Sequence, residues 1–320
     1  MGIRPGSWKT GTKGMKRISH PLRIREPGVS LIYGFSRSCL LLLSWWSNLL
    51  KEGTLMPCVF EEVLLFRSKP KRTIALVTAY TAWQARLAEE AGVDAVLVGD
   101  SLGMVELGYE TTLAVTLDQV LHHAKAVSRG VKALPIVFDM PFMSYQPSVP
   151  DALKAAGRVF RETRAVAVKL EGGKELAPTV RAMVDAGIPV MGHVGLMPQH
   201  VRAMAGYRIQ GKTEESASKL LEDAINLQEA GVFSVVIEGT RSEVAKSLSR
   251  RLTIPTIGIG AGPDTDGQIL VFHDVTGISL SPPKLAKAFG KAGQEAKSAL
   301  TAYVSAVREG SFPGPEETYG

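Results

Sequence analysis

The stretch Ala167-Val168-Lys169-Leu170-Glu171-Gly172-Gly173 is an apolar, β-branched run that ends in a carboxylate and two glycines. Three other short segments have a similar form, at residues 96–101, 136–139 and 234–238. Such runs are typical of strands in a buried parallel sheet. Acidic side chains that converge at strand ends suggest a metal ion and a base facing a shared cavity. This arrangement predicts an enzyme.

Strand and helix patterns alternate from Thr73 onward. The predicted strands are residues 74–78, 94–98, 135–138, 166–170, 189–192, 234–237 and 254–258, with residues 268–272 as a possible eighth. The predicted helices are residues 83–91, 115–128, 150–162, 174–185, 214–230, 242–251 and 283–307. Seven or eight β/α units in about 240 residues predict an α/β protein with a (β/α)₈ TIM barrel.

A doubly wound nucleotide-binding sheet is the alternative α/β fold. It would normally carry a glycine-rich phosphate loop after its first strand, where Thr78-Ala79-Tyr80-Thr81 stands instead. Gly258-Ile259-Gly260-Ala261-Gly262 resembles such a loop, but no helix pattern of normal length follows it. These glycines are better explained by backbone lying close to a ligand at the barrel mouth.

The N-terminal residues 1–55 differ from the rest of the chain. They are basic, show no sustained periodicity, and contain three of the four tryptophans. Their longest apolar run, residues 39–46, is much shorter than the roughly 20 residues of a membrane-spanning helix, so no membrane anchor is expected. We predict a single catalytic domain at residues 56–320, with translation starting at Met56 and a disordered or non-native extension at residues 1–55. A mitochondrial transit peptide is the alternative; otherwise a cytoplasmic protein is expected.

Composition excludes several function classes. Of the 37 Lys and Arg residues, 13 fall within residues 1–72 together with only 4 Asp and Glu, which leaves 24 basic against 27 acidic residues in the body. The net charge of +6 therefore does not indicate nucleic-acid binding. Both cysteines, Cys39 and Cys58, precede Thr73, which excludes a cysteine nucleophile, a CxxC metal site or a disulfide framework from the predicted barrel.

In a (β/α)₈ barrel, residues just beyond the carboxyl ends of the strands face the active site. The candidates that this rule selects are Asp100, Ser101, Asp139, Lys169, Glu171, His193 and Glu238. Any one acidic side chain there could instead cap a helix or face solvent. Several carboxylates crowded in one mouth raise one another's pKa unless a cation lies among them. Two or three carboxylate ligands suit Mg²⁺ or a similar hard divalent ion.

Two pairs of alternatives remain open at this point. Lys169 and Glu171 are two residues apart, so on a strand they share one face. They could hold an anionic substrate beside a metal ion, or they could form a structural ion pair. His193 follows the fifth predicted strand, where it could bind substrate through a hydrogen bond or merely cap the loop.

Several sequence strings together resemble the ketopantoate hydroxymethyltransferase family. They are Val98-Gly99-Asp100-Ser101-Leu102-Gly103-Met104, Asp139-Met140-Pro141-Phe142-Met143-Ser144-Tyr145, Val168-Lys169-Leu170-Glu171-Gly172-Gly173, Gly192-His193-Val194-Gly195-Leu196 and Asp266-Gly267-Gln268-Ile269-Leu270. The resemblance runs from about Thr73 to the end of the chain. It implies kinship with the phosphoenolpyruvate mutase and isocitrate lyase barrels, which handle α-keto acids or their enolates on Mg²⁺.

The resemblance also implies a reaction. A hydroxymethyl group would pass from 5,10-methylenetetrahydrofolate to 3-methyl-2-oxobutanoate through a metal-stabilised enolate, giving 2-dehydropantoate for pantothenate and coenzyme A synthesis. It further implies a homo-oligomer, possibly a decamer, with the keto acid and the folate as small-molecule partners. The rival functions are a related lyase or mutase, a metabolite-binding scaffold without turnover, and a membrane-tethered variant.

The resemblance assigns roles residue by residue. Asp100 and Asp139 would bind Mg²⁺ or another divalent ion, and Glu171 would reach the ion directly or through water. The two aspartates would also hold the keto acid, together with Ser101 and Lys169, and His193 is a further candidate for substrate binding. Glu238 would be the general base.

This chain departs from the usual pattern of the family in places. Thr81 replaces the usual Asp after Thr-Ala-Tyr, Thr163-Arg164 replaces Gly-Ala, and Gly239-Thr240 follows Glu238 where apolar residues and Pro are more usual.

Overall fold

The computed structural model describes residues 69–70, 72–279 and 281–320. The predicted extension at residues 1–55 and the predicted start at Met56 lie outside the described residues. Within the described part of the chain, no helix has the length and apolar character needed to cross a membrane.

Eight parallel strands form a closed barrel in chain order, and β8 pairs with β1 to close it. The strands are β1 Ile74–Thr78, β2 Ala95–Val98, β3 Ile136–Asp139, β4 Ala167–Glu171, β5 Val190–Gly195, β6 Ser234–Glu238, β7 Thr256–Ile259 and β8 Gly267–Leu270. The predicted (β/α)₈ barrel is therefore confirmed, including its possible eighth strand. Phe272, which the prediction assigned to that strand, instead begins a short helix.

Helices connect the strands. They are α1 Ala82–Glu90, α2 Leu102–Val105, α3 Leu117–Gly130, α4 Val149–Glu162, α5 Ala177–Asp185, α6 Glu214–Ala230, α7 Ser242–Arg251, α8 Phe272–Thr276 and α9 Ala292–Glu309. Several begin at a side-chain cap: the Thr116 hydroxyl accepts the Gln119 amide at α3, and the Thr213 hydroxyl accepts the Ser216 amide at α6. Such caps satisfy N–H groups that have no partner inside the helix.

The last helix is shorter than predicted. Residues 283–307 were predicted to be helical, but α9 begins only at Ala292. The Phe289 amide donates to the Val275 carbonyl and the Gly293 amide to the Gly277 carbonyl. These tertiary hydrogen bonds hold the chain before and at the start of α9 against the end of α8. In a helix that began at residue 283, the same two amides would have donated to carbonyls of that helix.

Alternate strand residues face two different hydrophobic cores. On β2, Val96 and Val98 pack between the sheet and the surrounding helices, whereas Ala95 and Leu97 fill the barrel interior. On β4, Ala167 belongs to the interior core. Because side chains on one face recur every second residue, Lys169 and Glu171 continue that face toward the carboxyl end of the barrel.

Two helical glycines lead to opposite stability predictions. An alanine Cβ at Gly130, at the end of α3, would lie 2.2 Å from the carbonyl oxygen of Ala82, whereas at Gly157 in α4 nothing lies within 4 Å. We expect Gly130→Ala to destabilise the protein by about 1–3 kcal/mol through backbone displacement. Gly157→Ala should stabilise it by about 0.5–1 kcal/mol, because alanine is the better helix former. Thermal unfolding of both variants checks this, and melting temperatures that move in the same direction would contradict it.

Candidate active site

Three predicted carboxylates converge at the carboxyl end of the barrel. Asp100 follows β2, Asp139 ends β3 and Glu171 ends β4, and all three are buried. One carboxylate oxygen from each lies within 4.8 Å of the others. Such a set of hard oxygen donors is what Mg²⁺ and similar divalent ions bind.

Lys169 lies within this cluster and is buried with it. Its Nζ donates to Asp139 Oδ1 at 2.7 Å and to Glu171 Oε1 at 3.2 Å. The strand register explains the first contact, because Asp139 and Lys169 are partners across the β3–β4 pair. The ion pair between Lys169 and Glu171 is therefore present, next to the ion pair between Lys169 and Asp139.

The cluster carries more negative charge than one ammonium group balances. Burial, together with the neighbouring Asp139 and Glu171, raises the pKa of Asp100 well above its usual value. Burial likewise raises the pKa of Asp139, although the Lys169 charge opposes this. Burial also acts to raise the pKa of Glu171, but the neighbouring Lys169 and His193 outweigh it and bring that pKa to about 2. A divalent cation would relieve the repulsion and favour the ionised form of all three.

Gln199 is hydrogen-bonded to two carboxylates of the cluster. It was not among the site residues predicted from the sequence. Its side-chain Nε2 donates to Asp100 Oδ2 at 3.0 Å and to the Met140 carbonyl at 2.9 Å. Its backbone amide donates to Glu171 Oε2 at 3.0 Å. Gln199 lies in the 3₁₀ turn Pro198–His200, within the long loop after β5. No residue pattern in that loop indicates that it folds back over the cluster.

Tyr145 is a second buried group that had no assigned role. Its hydroxyl accepts the Glu171 amide at 2.9 Å and lies 2.8 Å from Gln199 Oε1. Tyr145 thus ties the end of β4 to the loop after β5. Its position in one of the family-like strings was the only signal in the sequence.

His193 lies between two carboxylates in the barrel mouth. Its Nδ1 is 3.5 Å from Glu171 Oε1, and its Nε2 is 3.5 Å from Glu238 Oε2. Neither ring nitrogen has a hydrogen-bond partner within the described residues, and the side chain is 1% exposed. The imidazole therefore lies between the carboxylates of Glu171 and Glu238 without a hydrogen bond to either.

Glu238 ends β6 and faces the same mouth. Burial raises its pKa to about 7, with His193 opposing the shift and Glu171 adding to it. Its side chain keeps 17% of its surface exposed. A partly accessible carboxylate whose pKa lies near neutrality has the properties of a general base.

Gly239 and Thr240, which depart from the usual family pattern, leave Glu238 at the end of β6. The Glu238 carbonyl accepts the Leu196 amide at 2.8 Å and the Thr240 hydroxyl at 2.9 Å. Gly239 has a φ of +51°, and a Cβ there would lie 2.9 Å from the Leu196 Cβ. Glycine therefore suits this position on both backbone and steric grounds.

Ser101 directly follows Asp100 and precedes the first residue of α2. Its Oγ lies 2.8 Å from the hydroxyl of the fully buried Tyr80. Thr81, which departs from the family pattern, caps α1 by accepting the Gln84 amide. Thr81 therefore has a structural role, and its presence removes no predicted site group.

Comparisons with known proteins identify the family to which the chain is similar. The family model described as ketopantoate hydroxymethyltransferase matches residues 62–315. The 3-methyl-2-oxobutanoate hydroxymethyltransferase of Syntrophobacter fumaroxidans is 51% identical over 257 residues, which are 80% of this chain and 91% of that protein.

Solved structures share the fold at low sequence identity. A 2,3-dimethylmalate lyase, described as a PEP mutase/isocitrate lyase superfamily member, matches with a TM-score of 0.52 and 16% identity over 81% of this chain and 89% of its own. Phosphoenolpyruvate phosphomutase from Streptomyces platensis subsp. rosaceus matches with a TM-score of 0.51 and 15% identity over 74% and 84%. At this identity the likeness extends to the fold alone.

Proposed function

This chain belongs to the ketopantoate hydroxymethyltransferase family, and we propose that it transfers a hydroxymethyl group from 5,10-methylenetetrahydrofolate to 3-methyl-2-oxobutanoate. It is a transferase by this kinship, and we place its reaction in the cytoplasm. The products are 2-dehydropantoate and tetrahydrofolate, and one water is consumed, whose oxygen becomes the new hydroxyl. The observation that carries the proposal is a buried trio of carboxylates beside a glutamate whose pKa is raised to about 7.

The residues of the cluster fit a divalent cation. Asp100, Asp139 and Glu171 offer three oxygen donors within 4.8 Å of one another, and their negative charge exceeds that of Lys169. We propose that the two aspartates hold the ion and that Glu171 reaches it directly or through water, with Mg²⁺ as the expected metal. A bound cation would polarise the keto group of the substrate and make its C3 hydrogen more acidic.

Side chains of the protein would bind the keto acid and move its proton. Lys169 and Ser101 would bind the anionic keto acid beside the two aspartates. Glu238 would accept the C3 proton, and His193, whose Nε2 lies 3.5 Å from Glu238 Oε2, would help to bind the keto acid. The C3 carbon then forms a bond to the methylene carbon, whose bonds to N5 and N10 of the folate both break. Water supplies the hydroxyl oxygen, and the two folate nitrogens take up the proton from C3 and one proton from that water.

A product assay tests this function. The protein is incubated with 3-methyl-2-oxobutanoate and Mg²⁺, with and without 5,10-methylenetetrahydrofolate, and the products are identified by mass spectrometry. Formation of 2-dehydropantoate only when the donor is present supports the proposal. Cleavage of the keto acid without the donor would indicate a lyase or mutase instead. No turnover and no exchange of the C3 hydrogen would indicate a metabolite-binding scaffold.

We also propose that the protein self-associates. Helix α9 has no buried residue, and its exposed side chains Leu300, Tyr303, Val304 and Val307 recur at the spacing of one helix face. An apolar stripe of this kind usually marks an interface, and the homo-oligomer implied by the family supplies its occupant, a second copy of this chain.

Light scattering tests the role of this helix face. We expect Leu300→Glu to lower the measured mass toward that of the 34.4 kDa chain, because a buried charge opposes association. Ser305→Glu, on the opposite face of α9, should keep the parent mass. Equal masses for the two variants would contradict the assignment.

A further inference from the structure

A cavity of about 540 Å³ lies between the loops that follow β2, β3 and β5. Its walls include Leu113, Phe142, Gln146, Gln199, His200 and Arg202. The volume falls within the range of small-molecule sites, about 300–1,000 Å³. Gln199 joins the cavity to the acidic cluster, because the same side chain donates to Asp100.

The hydrogen bonds in this wall determine which way its carboxamides point. Gln199 Nε2 lies next to the Met140 carbonyl, which can only accept, so its Oε1 must be the atom that faces Gln146. Gln146 therefore presents its Nε2, which donates to Gln199 Oε1 at 3.1 Å. This follows from the network and requires no choice between rotated amides.

Gln146 Oε1 is an acceptor without a partner. It is buried and has no hydrogen bond within the described residues. A buried acceptor that is left unpaired is costly, and natural proteins rarely keep one without a reason. Because Gln146 lines the cavity, a small movement of its side chain would bring this acceptor to an N–H group on a ligand there.

Other side chains around the cavity add two further properties. Phe142 and Leu113 provide apolar surface, and Phe142 is 37% exposed. Arg202 forms no ion pair with any residue that the structure describes. The matching ligand has a flat ring that carries N–H groups and an anionic part that reaches Arg202.

We propose that this cavity binds the pteridine ring of the one-carbon donor, with Gln146 Oε1 accepting a ring N–H, Phe142 packing against the ring, and Arg202 binding the glutamate carboxylates. This inference rests on the proposed function, which supplies the donor. It assigns the second substrate to the loops after β2, β3 and β5, while the keto acid stays on the strand ends.

Phe142→Ala and Gln146→Met test the site with three measurements. The first is calorimetric binding of tetrahydrofolate, the second is the KM for 5,10-methylenetetrahydrofolate, and the third is exchange of the C3 hydrogen of the keto acid in D₂O without folate. Each variant should weaken tetrahydrofolate binding and raise the donor KM about tenfold, the effect of one lost contact. The folate-free exchange of Phe142→Ala should stay within about twofold of the parent.

Met143→Ala is the matched control, because Met143 is the next residue, is 54% exposed, and does not line the cavity. It should leave all three measurements unchanged. Parent-like tetrahydrofolate binding in both Phe142→Ala and Gln146→Met would overturn the inference. So would a loss of exchange in Phe142→Ala that equals its loss of transfer, because the residue would then serve the keto acid. A parent protein that neither exchanges nor transfers would instead refute the proposed function itself.

Discussion

Glu238→Gln is expected to slow exchange of the C3 hydrogen of 3-methyl-2-oxobutanoate with D₂O by about 10²–10⁴-fold, the usual contribution of a positioned base. Glutamine keeps the size of the side chain but cannot accept the proton. Because Glu238 forms no part of the carboxylate trio, binding of Mg²⁺ and of the keto acid should be preserved. Exchange followed by NMR, with calorimetry for binding, measures both effects.

Glu243→Gln provides the control for this substitution, since Glu243 is an exposed glutamate on the neighbouring α7. It should exchange at the parent rate. Normal exchange in Glu238→Gln would show that another group is the base.

The pH dependence of exchange provides a second measurement on the same residue. The pKa of Glu238 is raised to about 7, and only its ionised form accepts a proton, so the rate should fall as the pH drops below this value. A bound cation nearby lowers the pKa, which places the inflection at or below about 7. A rate that keeps rising well above pH 8 would contradict the assignment.

Asp139→Asn is expected to lose Mg²⁺ binding, and exchange with it. Loss of an outer-shell partner alone typically weakens metal affinity about 10–100-fold, so removal of a ligand should cost more than about 100-fold. Titration calorimetry with Mg²⁺ measures this directly. The shift in melting temperature that Mg²⁺ produces in the parent should also disappear.

The melting temperature of Asp139→Asn without Mg²⁺ shows whether Asp139 is a metal ligand or only a structural partner of Lys169. If Asp139 served only as the partner of Lys169, its removal would break a buried ion pair at a cost of about 3–5 kcal/mol. In the cluster, Glu171 still pairs with Lys169, and Asp100 loses a repulsive neighbour. We therefore expect a small change in the metal-free melting temperature. Asp185→Asn, an exposed aspartate at the end of α5, is the control, and Mg²⁺ affinity equal to the parent's in Asp139→Asn would refute the ligand role.

The strand ends were predictable because local pattern determines them. Four apolar runs that close on a carboxylate predicted β2, β3, β4 and β6, and the barrel rule turned them into one convergent set. The spacing of Lys169 and Glu171 also predicted their common face. These inferences need only the two-residue period of a strand and the parallel order of the sheet.

The partners of those residues depend on contacts between distant parts of the chain. Gln199 contacts Asp100 across 99 positions, and Tyr145 joins β4 to the loop after β5. Neither contact leaves a periodic signal, since an irregular loop reaches its place through tertiary hydrogen bonds. The late start of α9 has the same origin. The amides of Phe289 and Gly293, which an earlier start of the helix would have paired within it, donate instead to the carbonyls of Val275 and Gly277.

The amino-acid sequence alone determined the barrel, the kinship, and which acidic residues stand at its carboxyl end, because strand period and strand order are local properties. Tertiary structure alone decided that Lys169 lies beside Asp139 and that His193 lies between Glu171 and Glu238. It also decided that Gln146, in the cavity wall, keeps its Oε1 without a hydrogen-bond partner among the described residues. The register between strands and the path of the loops set these distances. Both depend on how the whole barrel packs, since a shift of one residue in register would turn each side chain to the other face.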